Sequence, residues 1–345
     1  MPTPVTPSGT HDQNDVSSLL RTCVQCGLCL PHCATWLAAG NEVQSPRGRL
    51  VLLERMYAEP DTPAPAAFLA AFDQCIGCRA CETACPSGVP FSLLERGIEL
   101  AAGQPGTAPS PAVPRVLLHR MDSASFLTGL ARVVRSARTT LRALMGRAWR
   151  RRLDGRAAWI RRVAGLLGSV PRAPRAARDL ERTLIGLGAQ PFPGPGGNAV
   201  PDAPDPTNRL VFFRGCANAG FLPDTSRRLR ELLTWSGFRL LDPAGQECCG
   251  ALASHTGRPG RAAALAAANA EVLVPLLDGP ARVVVEAAGC GLELKDHKAL
   301  GDHVVDAVEL LAGIDLPPLG SVDLKVALHD PCHARHGQGL VQQPR

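Results

Sequence analysis

Two short cysteine runs constrain this chain more than any other feature. CVQCGLCLPHC carries Cys23, Cys26, Cys29 and Cys33, and CIGCRACETACP carries Cys75, Cys78, Cys81 and Cys85, both in C-x2-C-x2-C-x3-C spacing. Three thiolates at three-residue steps can wrap one iron–sulfur cubane, while the fourth, one residue out of step, points toward a partner cluster. The spacing therefore predicts two [4Fe–4S] clusters that exchange a ligand. Cluster one takes Cys23, Cys26, Cys29 and Cys85, and cluster two takes Cys75, Cys78, Cys81 and Cys33.

Zinc and unligated thiols are the competing readings. Zinc sites pair two separated C-x2-C knuckles, which a compact four-cysteine run occurring twice matches poorly. Gly27 and Gly77 would let backbone N–H groups approach the sulfurs and so help set the potential. Pro86 follows the second run as in the bacterial pattern, whereas Ala34 stands at the corresponding place after Cys33. His32, inside the first run, is read as solvent-facing rather than as a ligand.

Composition sets the surroundings. At 345 residues and 45% hydrophobic content, the chain can build two cored domains. Thirteen cysteines would suggest disulfides in a small secreted protein. Here they cluster at ligand spacing, and the N-terminus lacks an apolar core and any Lys or Arg before Arg21, so a reducing cytoplasmic setting is expected. No stretch approaches 18 uninterrupted apolar residues, and no membrane-spanning helix is expected.

Along the chain, residues 1–14 read as a disordered, polar N-terminus and 15–103 as a mostly α-helical ferredoxin-like domain. Ser45 and Pro46 would start a helix carrying Leu50, Leu53, Met56 and Tyr57. A second helix is expected over 66–72. Ser92 and Glu95 suggest a capping box for a third, ending near Gly103. Residues 104–207 form a Pro/Arg-rich linker with helices. Its 132–182 segment holds 15 Arg against Asp154, Asp179 and Glu181, while the whole chain nets only +6. Leu141, Leu144, Met145 and Trp149 recur there at helical steps, as in an amphipathic helix on a membrane surface or against a partner. No nucleic-acid motif accompanies the charge, so nucleic acid is not expected as a ligand.

From residue 208 to 345 the pattern becomes α/β. Apolar runs at 210–213, 238–241, 283–285 and 324–328 read as strands, with helices over 225–236 and 261–277 between them, which predicts a parallel sheet. Cys216, Cys290 and Cys332 follow three of these strands, and the Cys248-Cys249-Gly250 triplet follows another. All would lie at the carboxyl edge, where ligands gather. A third iron–sulfur or thiol-redox site, structural cysteines and a zinc site all remain open for these five. RLVFFRGC and KVALHDPC lie 116 residues apart and suggest a duplicated module. A second triplet at the same interval from Cys332 would fall beyond Arg345, so the second repeat is read as incomplete.

The chain resembles the iron–sulfur subunit of glycolate oxidase (glycolate dehydrogenase). The resemblance rests on the paired runs, SPRGRL at 45–50, CPSGV at 85–89, CCG at 248–250 and DPCHARHGQ at 330–338, and it fades across 104–207. It extends to heterodisulfide reductase and anaerobic glycerol-3-phosphate dehydrogenase subunits. It implies an electron-transfer subunit of a flavin-dependent 2-hydroxy-acid dehydrogenase, oxidising glycolate to glyoxylate and, in relatives, D-lactate. FAD would sit on a partner subunit and quinone could be the acceptor. Peripheral contact with the cytoplasmic face of the inner membrane is compatible with this. A heterodisulfide-reductase-like thiol chemistry at the CCG module is the alternative. Some relatives end the module with C-x-x-C, whereas Glu293 follows Cys290 here.

Overall fold

The computed structural model describes residues 13–59, 62, 64–103, 120, 123, 125–133, 136, 208–316 and 325–345. The helix proposed at 141–149 and most of the Arg-rich segment lie outside the described residues. So does most of the N-terminus read as disordered, although Gln13 and Asn14 already belong to the first helix.

The N-terminal domain is helical: α1 (Gln13–Leu20), α2 (Ala34–Ala39), α3 (Pro46–Ala58), α4 (Ala66–Asp73), α5 (Ala80–Thr83) and α6 (Ser92–Gly103). Ser45 caps α3, its hydroxyl accepting the Gly48 N–H at 2.9 Å, and Pro46 occupies the first turn, where its missing N–H costs nothing. Leu53, Phe72, Leu93 and Ile98 bring α3, α4 and α6 onto one core. Gly97 is needed there, because a Cβ would collide with the Phe72 ring. The expected capping box on α6 does not form. Ser92 is already helical, and the preceding N–H of Phe91 goes to the Glu82 carboxylate at 3.0 Å. A local pattern has here been overridden by a tertiary acceptor.

The second domain is built on a four-stranded parallel sheet of β1 (Arg209–Phe213), β2 (Arg239–Leu241), β3 (Arg282–Val285) and β4 (Val304–Asp306), in the order β2-β1-β3-β4. Helices α7 (Cys216–Phe221), α8 (Pro223–Trp235), α9 (Ala251–His255), α10 (Pro259–Leu273), α11 (Ala288–Lys295) and α12 (Ala307–Ala312) connect and cover it. Val211 and Phe213 face one core together with Cys216, Cys248 and Cys249, while Leu210 and Phe212 face the other with Leu233 and Leu310. Burial on both faces explains why the strands read as continuous apolar runs.

One expected strand is corrected, and one strand was not foreseen. Residues 325–328 form no strand: they pair with no neighbour among the described residues, and Val326 and Leu328 are 79% and 52% exposed. An apolar alternation without a ladder partner does not make a strand. Conversely β4, three residues long, is too short to show periodicity, yet it pairs with β3 at Val283–Val304 and Val284–Val305.

Candidate iron–sulfur and thiol centres

Each cysteine run folds into a loop with two left-handed residues at matching places. Gln25 and Gly27 have φ of 55° and 80° in the first, and Gly77 and Arg79 have 65° and 60° in the second. Only one of each pair is glycine, so Gln25 and Arg79 hold a conformation that non-glycine residues seldom adopt. Backbone N–H groups aim at sulfur: Arg47, from the first turn of α3, toward Cys29, and Gly77 and Ala80 of the second loop toward Cys75 and Cys78. The Val89 N–H stands 3.4 Å from Cys85 Sγ.

The thiols of the two runs lie close enough to act on one another across the runs, and Cys81 senses both Cys29 and Cys33 of the first. Cys29 senses the charges of Cys23 and, from the other run, Cys85. Cys33 acts on Cys75, Cys78 and Cys81. Cys81, buried first of all and crowded by Cys75 and Cys78, is pushed up to about 12. Burial likewise raises Cys29, Cys75 and Cys78. Such thiols become thiolates only when cations displace their protons, which suits an iron–sulfur donor set. His32 is exposed in the turn beside Cys33.

The PRGR segment meets the first run at two places. Arg47 points out, donating to the Gln25 carbonyl at 3.0 Å and to Glu42 at 2.5 Å. Arg49 points in, to the Ala71 carbonyl at 2.7 Å and toward Cys33 Sγ at 3.9 Å. Gly48 between them has no room for a Cβ against the Glu42 carbonyl. The motif was legible as a signature, but its division of labour was not.

In the second domain four of the five later cysteines converge. Cys216 Sγ lies 3.4 Å from Cys248, and Cys249 Sγ lies 3.2 Å from Cys290, too far for a bond of about 2.05 Å. Hydrogen bonds from Cys216 and Cys249 hold Cys248 well below the usual thiol range, whereas those same bonds and burial push Cys216 and Cys249 up. Gly250, at φ +102° and facing the Ala262 carbonyl, turns the chain into α9. Asn269, fully buried, clamps the loop, accepting from Glu247 N and donating to the Cys248 carbonyl, both at 2.9 Å. Nothing in the sequence singled Asn269 out.

Cys332 does not join this group. It lies at the head of the His333–Gly337 turn, exposed, where its charge acts on Cys78 of the second run. The same segment ties the domains together. His333 Nε2 reaches the Gly77 carbonyl at 2.9 Å, His255 stacks on His333 with ring centroids 4.8 Å apart, and Arg79 pairs with Asp296 at 3.4 Å. The predicted five-thiol site is thus four thiols on one side and Cys332 at a domain seam.

Family comparison agrees with this division. The 4Fe-4S dicluster domain matches residues 19–89 and the cysteine-rich domain matches residues 210–295. The chain is an iron–sulfur protein that joins a helical ferredoxin-like domain to a cysteine-rich domain, with an electron-transfer role. More particularly, it is similar over most of its length to glycolate oxidase iron–sulfur subunits. It is 24% identical over 343 residues to that of Escherichia coli, covering 94% of this chain and 74% of the relative. The probable counterpart in Bacillus subtilis is 30% identical over 300 residues, covering 83% of this chain, which spans 60% of that relative's length. A fumarate reductase (CoM/CoB) subunit of Methanothermobacter marburgensis is 35% identical over 145 residues, covering 41% of this chain and 29% of the relative. No solved structure matches the chain. Among the described residues no helix is long and apolar enough to cross a membrane.

Proposed function

We propose that the chain is the electron-transfer subunit of a flavin-dependent 2-hydroxy-acid dehydrogenase that oxidises glycolate to glyoxylate, with D-lactate as a related substrate. The observation that carries this reading is the close apposition of the two ferredoxin-type cysteine runs, in a chain similar to glycolate oxidase iron–sulfur subunits. Cys23, Cys26, Cys29 and Cys85 would hold one [4Fe–4S] cluster and Cys33, Cys75, Cys78 and Cys81 the other. When bound, the clusters supply one-electron centres that can divide the two electrons of a flavin. FAD and the substrate would belong to a partner subunit, since no G-x-G-x-x-G follows a strand here.

The surroundings give the pair a polarity. Val24 and Leu28, on the first loop, are exposed and free to meet a partner subunit; on the second loop Ile76 is exposed too, but Gly77 and Arg79 contact the cysteine-rich domain. Electrons would arrive beside Cys26 and leave beside Cys78, toward quinone or another acceptor. The test is to co-express the chain with its FAD partner, add glycolate anaerobically and follow the iron–sulfur EPR signals. Reduction within turnover, lost in Cys23→Ser, is expected. Signals that stay oxidised while the flavin is reduced would defeat the reading.

A second reading, thiol–disulfide chemistry or a third centre at Cys216, Cys248, Cys249 and Cys290, is favoured by their two close sulfur pairs. A further paramagnetic centre, abolished by Cys249→Ser and altered by an added disulfide, would support it.

A further inference from the structure

Arg49 presents an electrostatic problem that the protein alone does not solve. Its side chain is among the most deeply buried of the described residues, at 1% exposure. Every group its guanidinium addresses there is formally neutral or a thiol. Nε donates to the Ala71 carbonyl at 2.7 Å, one terminal nitrogen to the Thr35 hydroxyl at 3.0 Å and the Gln44 side-chain oxygen at 3.1 Å, and the other faces Cys33 Sγ at 3.9 Å. None of these partners is a carboxylate. A guanidinium stays charged at any ordinary pH, and a buried charge without a counterion is strongly destabilising.

Arg47, two residues earlier, is a natural contrast. It is partly exposed, already paired with Glu42, and leans on the Gln25 carbonyl of the first run. Successive odd positions at the start of α3 thus send one arginine to the Cys23–Cys29 turn and the other to Cys33 at the end of the same run. Among the described residues, only Arg47 of the two meets a carboxylate. The anion that Arg49 needs is supplied if Cys33 is a thiolate bound to iron, because a cluster with four thiolate ligands carries net negative charge. The Arg49 charge also acts on Cys75 across the same space, lowering its pKa against the effect of burial.

We infer that Arg49 is a positioning residue and the fixed countercharge of the second cluster, raising the reduction potential of that cluster and not of its neighbour. The inference rests on the assignment of Cys33 to the second set of ligands. Reduction adds negative charge, so a cation held at hydrogen-bonding range favours the reduced state. The three neutral acceptors fix where that cation stands, and their number explains why a lysine would not fill the same place with equal order.

The experiment is an anaerobic, EPR-monitored redox titration of the purified full chain and its variants. Cys23→Ser and Cys75→Ser identify which signal belongs to which cluster. In Arg49→Gln the second signal is expected to need a lower poise. At a fixed potential its ratio of oxidised to reduced form should rise about tenfold, equivalent to about 59 mV for a one-electron couple. The first signal should stay in place. Arg49→Lys, which keeps the charge and loses the fork, should recover most of the shift. An unmoved second signal in Arg49→Gln, equal shifts of both signals, or Arg49→Lys matching Arg49→Gln would overturn the inference. Should Arg49→Gln fail to hold the second cluster, Arg49→Lys decides. Its failure too would make the arginine a structural fork and end the countercharge assignment. Cys33→Ser separates the two ideas: loss of the first signal there breaks the ligand assignment itself, whereas loss of the second leaves Arg49 alone on trial.

Discussion

His333 places its Nε2 2.9 Å from the carbonyl oxygen of Gly77, and so joins the cysteine-rich domain to the loop between Cys75 and Cys78. A carbonyl can only accept, so Nε2 of His333 carries the proton. His255 packs against the same ring, and its imidazole would fill the space of a Cβ on Gly77. His333→Ala should loosen this seam without touching a ligand. Loss of one hydrogen bond, about 1 kcal/mol, should raise amide exchange around Gly77 and Cys78 roughly fivefold. Unchanged exchange in the loaded protein would mean that the seam is held elsewhere, by Arg79 and Asp296.

The seam also fixes a pH response through two buried groups of opposite sense. Burial, with the His333 and Arg79 charges adding to it, pulls His255 down to about 4. Its contribution is therefore present above about 6.5 and is lost as pH falls toward 4. Burial first, then Glu95 and Asp296, raises Glu293 to about 7, against the opposing Arg79 charge. A raised acid does the reverse: the folded state holds its proton longer, and stability falls as pH climbs from about 4.5 through 7. Glu293→Gln should therefore stabilise the protein at pH 8 by an amount on the order of 3 kcal/mol, and hardly at all at pH 4. Denaturant midpoints of the two proteins at both pH values check this, and equal gains at both would rule out ionisation as the cause.

The proposed ligand crossing has its own consequence for Cys85. The Cys29 thiol senses Cys85, and the Val89 N–H stands 3.4 Å from the Cys85 sulfur. Cys85→Ser should then damage the centre that Cys23→Ser destroys and spare the one lost in Cys75→Ser. Iron content should fall by about half in each, as expected for one of two clusters. EPR of the three variants distinguishes the signals; a Cys85→Ser protein that loses the Cys75 centre instead would uncouple the runs.

Why the cysteine runs were legible and their setting was not follows from the range of each interaction. Ligand spacing is local, so three-residue steps in CVQCGLC and CIGCRAC declare themselves. The Ser45-Pro46 start of α3 and the continuous apolar runs of β1 and β3 are local signals too. The left-handed residues at Gln25 and Arg79 were hidden because glycine marks only one of the two sites in each loop. Cys332 misled for another reason. Its strand-turn-cysteine pattern matched Cys216, but no described strand lies beside residues 325–328, and its segment serves the domain seam. Arg49, Asn269 and the His255–His333 pair act only through contacts distant in sequence, which no window of neighbouring residues contains.

Asn269 offers the sharpest test of how the thiol group is held. Its amide is the sole side chain that satisfies both Glu247 N and the Cys248 carbonyl among the described hydrogen bonds, and it also reaches the Leu265 carbonyl at 3.0 Å. Asn269→Leu keeps the volume and removes the polar atoms. It strands the buried Cys248 carbonyl, costing roughly 1–3 kcal/mol, and frees the part-buried Glu247 N–H. The loop carrying Cys248 and Cys249 should open before the domain unfolds, because the clamp connects the loop to α10 and not strand to strand. Alkylation of Cys249, which is only 2% exposed, should accelerate at least about tenfold in Asn269→Leu, while the sheet amides of β1 and β3 keep their protection. Mass spectrometry of iodoacetamide-labelled peptides reads the first and hydrogen exchange the second. Parallel loss of both would place Asn269 in the global core of the domain, and no change in either would show that the CCG loop is anchored by Gly250 and Gln246 alone.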